Sequence, residues 1–345
     1  MKTSHVSSPI RNRIRLLVYV IAIAYGVSQA SAQQSAARLS RTGVHAPIPD
    51  AIVHAPISQA KSGNSPLYTF TFGLIDYPRS QVSGVWGIND SGKMVGGYND
   101  ENIEDYGADH AYVLKGNTFS TIDYPGALGT EFYAVNKSGE MVGTFTDTSG
   151  NIHGFKLAGG IFTQLDYPGV TSETVAIGIN SSGEIVGIYQ DPNTGYASGF
   201  MLSGTTYTSI VVPGALATYV GGINKAGVIA GYYFDTSSNS HGFTYNKGTI
   251  TTIDYGNGYP NTYLNGISDA GLMVGGYGSL IKIGSLNYPW EHGFLYSGGV
   301  FSTFDAPFGD VQVTQPWGLN NKGEIVGDYL DSQGMSYGFY AKATP

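Results

Sequence analysis

Gly178-Ile179-Asn180-Ser181-Ser182-Gly183-Glu184-Ile185-Val186-Gly187 decides how this chain folds, because the same stretch returns in five other places. Its head reappears as Gly87-Ile88-Asn89, Ala134-Val135-Asn136, Gly222-Ile223-Asn224, Gly266-Ile267-Ser268 and Gly318-Leu319-Asn320, each followed three residues later by a glycine. The Asn or Ser positions are spaced by 47, 44, 44, 44 and 52 residues, the period of stacked supersecondary units. Asn-x-x-Gly is hairpin chemistry, since Asn bonds its own backbone and Gly accepts positive φ. Period-2 apolar runs flank each hairpin, and each unit reads as four antiparallel strands. In the second unit the later three are Met141 to Phe145, a strand opening with His153-Gly154-Phe155, and Phe162 to Tyr167 before Pro168. Six such units predict an all-β, six-bladed β-propeller over residues 68–345. A lone fourth strand, Tyr68 to Tyr77, precedes the first unit, and the last unit stops after a third strand at Phe339. The N-terminal strand is therefore expected to complete the C-terminal blade and close the ring.

Composition agrees. The 345 residues include 50 Gly and 15 Pro, with 12% charged against 41% hydrophobic, which excludes a helical bundle or coiled coil. The 26 Tyr and 15 Phe exclude a disordered chain. Residues 1–32 read as a secretory signal: Lys2, Arg11, Arg13 and Arg15 precede the apolar run Leu16 to Val27 and the small-x-small site Ala30-Ser31-Ala32. The run is too short to span a bilayer, so no membrane insertion is expected after cleavage, and the protein is expected to be secreted, periplasmic or extracellular. Residues 33–67 read as a flexible leader whose two histidines, His45 and His54, are not expected to hold a metal. Without the four basic residues of the signal, 13 Lys and Arg face 25 Asp and Glu, a charge of −12. So acidic a surface excludes nucleic acid and lacks a polybasic patch for lipid. Cysteine is absent, so no disulfide staples the fold.

The units resemble the extracellular repeats of the HAF family, named for a His-Ala-Phe tripeptide that follows a Gly-Ile-Asn and Val-Gly pattern. Here the tripeptide reads His110-Ala111-Tyr112, then His-Gly-Phe at 153, 241 and 292, and changes to Ser198-Gly199-Phe200 and Tyr337-Gly338-Phe339. The similarity runs from Tyr68 to about Tyr340 and implies a secreted, propeller-like protein; it implies no reaction.

His110, His153, His241 and His292 occupy one column of the repeat. A catalytic base is needed once, not four times, which makes these structural. A companion column, Asp100, Asp147, Asp191, Asp235 and Asp331, is expected to pair with the histidines and pin the loop between the second and third strands. A further column before Tyr-Pro, Asp76, Asp123, Asp166, Asp254 and Asp305, reads as turn capping. No nucleophile elbow, metal-ligand spacing or phosphate loop is present, and no cofactor or metal is expected.

Constant positions serve the blade, and positions that vary between units are free to serve a ligand. A hydroxyl column, Ser83, Thr130, Thr174, Thr218, Thr262 and Thr314, is followed by two such positions. The nearer to Gly-Ile-Asn reads Trp86, Tyr133, Ile177, Gly221, Asn265 and Trp317; the farther reads Gly84, Glu131, Val175, Tyr219, Tyr263 and Gln315. Ring closure makes units 6 and 1 neighbours, so Trp317, Trp86 and Tyr133 form an aromatic platform at the propeller mouth, with core packing between blades as the competing role. Insertions after the second strands of units 1 and 5 add acids at 101–109 and, near Trp290, a flanking wall. These residues, with Tyr219, Tyr263 and Glu131, read as a ligand site suited to sugar rings. A secreted binding or interaction module, with a glycan or another extracellular protein as partner, is favoured over an enzyme because nearly every acid, base or metal ligand lies on the repeat grid. The alternatives are an extracellular polysaccharide hydrolase or lyase using Glu131, and a structural cell-surface protein without catalysis.

Overall fold

The computed structural model describes residues 68–78, 80, 83–99, 109–283, 286–288 and 291–345. The signal and leader assigned to residues 1–67, the unit 1 insertion, Asp100 and Trp290 lie outside the described residues. Six four-stranded antiparallel sheets stand around one axis. Blade 1 comprises Ser83–Ile88, Met94–Asn99, Asp109–Lys115 and Thr118–Thr121, and blades 2 to 5 repeat that order outward from the axis. Blade 6 takes Val311–Leu319, Glu324–Asp331 and Ser336–Thr344 from the C-terminal end and its outermost strand, Thr69–Ile75, from the N-terminal side. That strand pairs antiparallel with the third, from Thr69 opposite Thr344 to Ile75 opposite Gly338, and buries Phe70 and Phe72 against Phe304 and Phe339. Among the described residues no helix is long and apolar enough to cross a membrane.

Each repeated residue has a physical task. The Val-Gly glycine of the second strand lies where the first strand's backbone passes: a Cβ at Gly96, Gly143, Gly187, Gly231, Gly275 or Gly327 would meet a carbonyl oxygen at 1.8 to 2.2 Å. Beside it sits the aromatic of the third strand, Tyr112, Phe155, Phe200, Phe243, Phe294 or Phe339, each fully buried. The hydroxyl column bonds backward to the preceding blade: Thr130 Oγ1 accepts from Tyr124 N at 3.0 Å and Thr174 Oγ1 from Tyr167 N at 3.1 Å. The tyrosine of Asp-Tyr-Pro then stacks flat on an aromatic of the next blade, as Tyr124 does on Phe145 at 3.7 Å and 6°.

The Asn column does more than turn the hairpin. Asn180 Oδ1 accepts from the amides of Ser182 and Glu184, both at 3.0 Å, while its Nδ2 reaches the next blade and donates to Asn224 O at 3.0 Å. The same link joins Asn89 to Asn136 O, Asn136 to Asn180 O and Asn224 to Ser268 O, and Asn320 returns to Asn89 O at 3.0 Å. This girdle of side-chain hydrogen bonds runs round the axis and is interrupted only where Ser268 replaces Asn, too short to reach Asn320. There only the following position joins the blades in this way, Asp269 N donating to Asn321 Oδ1 at 2.8 Å, a contact that Lys225 N with Asp269 and Asn321 N with Asp90 also make beside intact links.

Candidate functional site

The opposite face, where the first strands begin, is the mouth. In all six first strands the pairing with the second strand skips a residue at the same place, Trp86, Tyr133, Ile177, Gly221, Asn265 or Trp317, and blade 6 skips Gln312 as well. A bulged residue leaves the ladder and has its side chain re-aimed; here all six meet at the axis. They surround, with Val220 and Tyr232, a cavity of about 30 Å³, room for one water-sized group and far too little for a sugar ring. Trp86 and Trp317 are 7% and 5% exposed and Tyr133 4%. The Trp86 indole lies over Gly84 and Gly97, where a Cβ would come within 2.9 and 2.8 Å of it, and tilts against Tyr133 at 5.4 Å. The three aromatics are thus brought together as the wall of a narrow axial cavity rather than as an open platform.

One tier nearer the mouth stand Glu131, Tyr219, Tyr263 and Gln315, opposite Thr144, Tyr232, Gly276 and Asp328 of the second strands. Tyr219 stacks on Tyr232 at 4.9 Å and 10°, and Tyr232 meets Tyr263 edge-on at 4.7 Å. The Tyr133 hydroxyl donates to the Glu131 carboxylate, and the Trp317 indole N–H donates to Asp328. Asp328 also accepts from Ser336 Oγ at 2.8 Å, and burial pushes its carboxyl up to about 7. Glu173, just before Thr174, is 4% exposed, and burial pushes it up to about 7 as well. Burial, and secondarily Glu173, raises the Tyr219 hydroxyl. Two groups here are left without partners among the described residues: Glu173 Oε1, and both amide atoms of Gln315, a residue with no exposure at all.

The unit 5 insertion forms a small hairpin, Ile281–Ile283 with Leu286–Tyr288. Its Ile283 and Tyr288 are buried in the same apolar cluster as Trp86, Tyr133, Tyr263 and Trp317. The insertion therefore packs over the mouth.

The histidine column differs from expectation in its main partner. The Asp before Tyr-Pro, read from sequence as a turn cap, holds Nδ1: His110 to Asp123 at 2.7 Å, and His153 to Asp166, His241 to Asp254 and His292 to Asp305 at 2.9 Å each. The third and fourth strands run side by side, so residues thirteen apart in sequence face each other, which the turn reading ignored. Among the described residues the loop aspartates pair with Nε2 in blades 2 and 4, Asp147 with His153 at 3.2 Å and Asp235 with His241 at 3.4 Å. Their common task is to cap the loop backbone. Asp147 Oδ1 accepts from Ser149 and Asn151 N, and Asp191 and Asp331 do likewise in blades that lack the histidine. Burial lowers the His153 affinity for a proton, but hydrogen bonds donated to Asp166 and Asp147 outweigh it and raise the pKa; burial raises Asp147, while bonds from Asn151, His153 and Ser149 hold it at about 2.

Sequence reasoning missed Glu173 and Asp328. Asp328 is the one acid among the second-strand positions facing the mouth, Gly97, Thr144, Ile188, Tyr232 and Gly276 being the others, and that column was open to inspection. Among the described residues no group of acidic and imidazole side chains is arranged to hold a metal ion.

No family model and no curated protein matches the sequence. Solved propellers do resemble its fold. A gluconolactonase of Xanthomonas campestris is 11% identical, with 88% of this chain and 100% of that chain covered at a TM-score of 0.50. The six-bladed fungal lectin of Aleuria aurantia, described with a novel fucose recognition mode, is 12% identical over 79% of this chain and 96% of that chain, at 0.47. Identity this low speaks for the fold alone.

Proposed function

We propose that this is an extracytoplasmic propeller of the HAF-repeat type that binds a glycan at its mouth without transforming it. The observation that carries the reading is the contrast between columns. Positions that repeat are consumed by interblade bonds, whereas the mouth-facing positions vary between blades and include Gln315 and Glu173, buried with unmet hydrogen-bonding capacity. A native fold leaves few such groups, and each asks for a water or a ligand. The mouth is narrow and its hydroxyl-bearing rings, Tyr219 and Tyr263, are amphipathic, which suits the end of a saccharide chain. Glu131 is engaged by the Tyr133 hydroxyl and does not line the axial cavity, which speaks against a catalytic acid there. A glycan array followed by a reducing-sugar assay tests the reading. Retention without turnover is expected; turnover abolished by Glu131→Gln would replace it with the hydrolase reading.

A further inference from the structure

The axial cavity has a composition the binding reading does not require. Four of its eight lining residues are aromatic, Trp86, Tyr133, Tyr232 and Trp317, and none is basic. Two of those rings give their polar hydrogen to a carboxylate, Tyr133 to Glu131 and Trp317 to Asp328. Such a bond directs negative charge toward the ring and enriches the face it turns to the cavity. Asp328 is 3% exposed and Glu173 4%, yet the ion pairs among the described residues all lie elsewhere: the loop histidines with their acids, and Lys156 with Glu140. Buried carboxyls without a cation are costly.

Gln315 supplies an independent observation. It stands opposite Asp328 in register and two residues before Trp317, on the face that Trp317 turns to the axis, and its amide has no partner. Glu173 Oε1 is a further unused acceptor near Tyr219. Two unused acceptors, Gln315 Oε1 and Glu173 Oε1, thus stand near a cavity walled largely by aromatic rings. A volume of about 30 Å³ exceeds the roughly 10 to 15 Å³ needed to hold a water molecule, and an ammonium group is of similar size. No lining side chain carries a positive charge to hold an anion, and a sugar ring does not fit.

Resting on the glycan reading above, we infer that the cavity is a receptor for one ammonium group, held by cation–π contact with Trp86, Tyr133, Tyr232 and Trp317, and that the glycan bound at this mouth carries free amines. Only the amine enters the cavity, and the ring that bears it sits at the cavity's opening.

The test is calorimetric titration of the full mature chain with a glucosamine oligomer and with its fully N-acetylated counterpart of equal length. Titration at about 0.5 M NaCl shortens the Debye length to about 4 Å and removes attraction to the acidic exterior. Binding of the amino oligomer at least about tenfold tighter than the acetylated one is expected. Gln315→Leu removes a polar group that has no partner, so melting should hold or rise while affinity falls about threefold or more; Asp328→Asn should weaken binding about tenfold. Equal binding of both oligomers, or full affinity in both variants, overturns the ammonium site and leaves the glycan reading standing. Failure of both oligomers alongside retention of other glycans does the same. Failure of every glycan overturns the glycan reading itself.

Discussion

Ser268→Asn should make the protein more stable by closing the girdle. In the five intact links the Asn Nδ2 donates to a carbonyl of the next blade at 3.0 to 3.4 Å. Ser268 is 3% exposed, and its Oγ serves only the Leu272 amide, at 3.1 Å. An Asn there would gain two bonds: Nδ2 to Asn320 O, and Oδ1 to the Ala270 amide in the manner of Asn180 with Ser182. Each contributes about 1 kcal/mol net, and ordering the longer side chain takes back about 0.5 to 1 kcal/mol. The expected gain is about 1 kcal/mol, or roughly 2 to 4 °C in melting temperature for a domain of this size. The mirror variant Asn180→Ser should lose a similar amount. Urea unfolding with an unchanged m-value measures both. If Ser268→Asn lowers the midpoint, or Asn180→Ser leaves it where it was, the girdle is a geometric coincidence without energetic weight.

Four further outcomes follow from the same contacts. Gly187→Ala places a Cβ 1.9 Å from Val175 O and should destabilise by about 3 kcal/mol or more, or prevent folding, as judged by denaturant unfolding. Trp86→Ala empties a buried site and should cost about 3 to 5 kcal/mol; a variant that melts like the parent would mean the indole is not packed at the axis. The His153 pKa is raised in the folded state, so its contribution is complete below about 6.5 and is lost as pH rises through the higher folded value. Asp147 is lowered to about 2, so its contribution is present above about 3.9 and is lost as pH falls through the range below; His153→Gln should flatten the alkaline limb of a melting-versus-pH curve and shrink the acid limb only in part, because Asn151 and Ser149 still hold Asp147. Deleting residues 68–77 removes the outer strand of blade 6 and exposes Phe304 and Phe339, so cooperative melting should be lost or shifted sharply downward.

The architecture was legible because each determinant is local and repeated six times. Asn-x-x-Gly marks a hairpin wherever it stands, and an unpaired strand at each end of the array implies their union. The site was legible only as a place. The column from Trp86 to Trp317 was visible as the position where the units disagree, but the bulge that turns it to the axis involves pairing across strands, and burial depends on six chains of residues converging. For the same reason the carboxyl at Asp328 looked like one more variant of a second-strand position, and Asp123 looked like a turn residue until the strand carrying His110 was laid beside it. What one strand does is written in its own residues; what meets at the axis depends on all six.

The strand Thr69–Ile75 gives the ring a seam with its own kinetics. Blades 1 to 5 each form from contiguous sequence, whereas the last pairing joins Thr69 to Thr344, residues 275 apart. Gathering a loop of that length opposes closure by roughly 5 kcal/mol more than a one-residue step would, so this ladder should form last in folding and part first in unfolding. Until it does, the third strand of blade 6 presents an unpaired edge, the feature that invites pairing with a second chain. Aggregation during refolding should therefore depend on protein concentration through this one edge, and a synthetic peptide of residues 68–77 added in excess should suppress it.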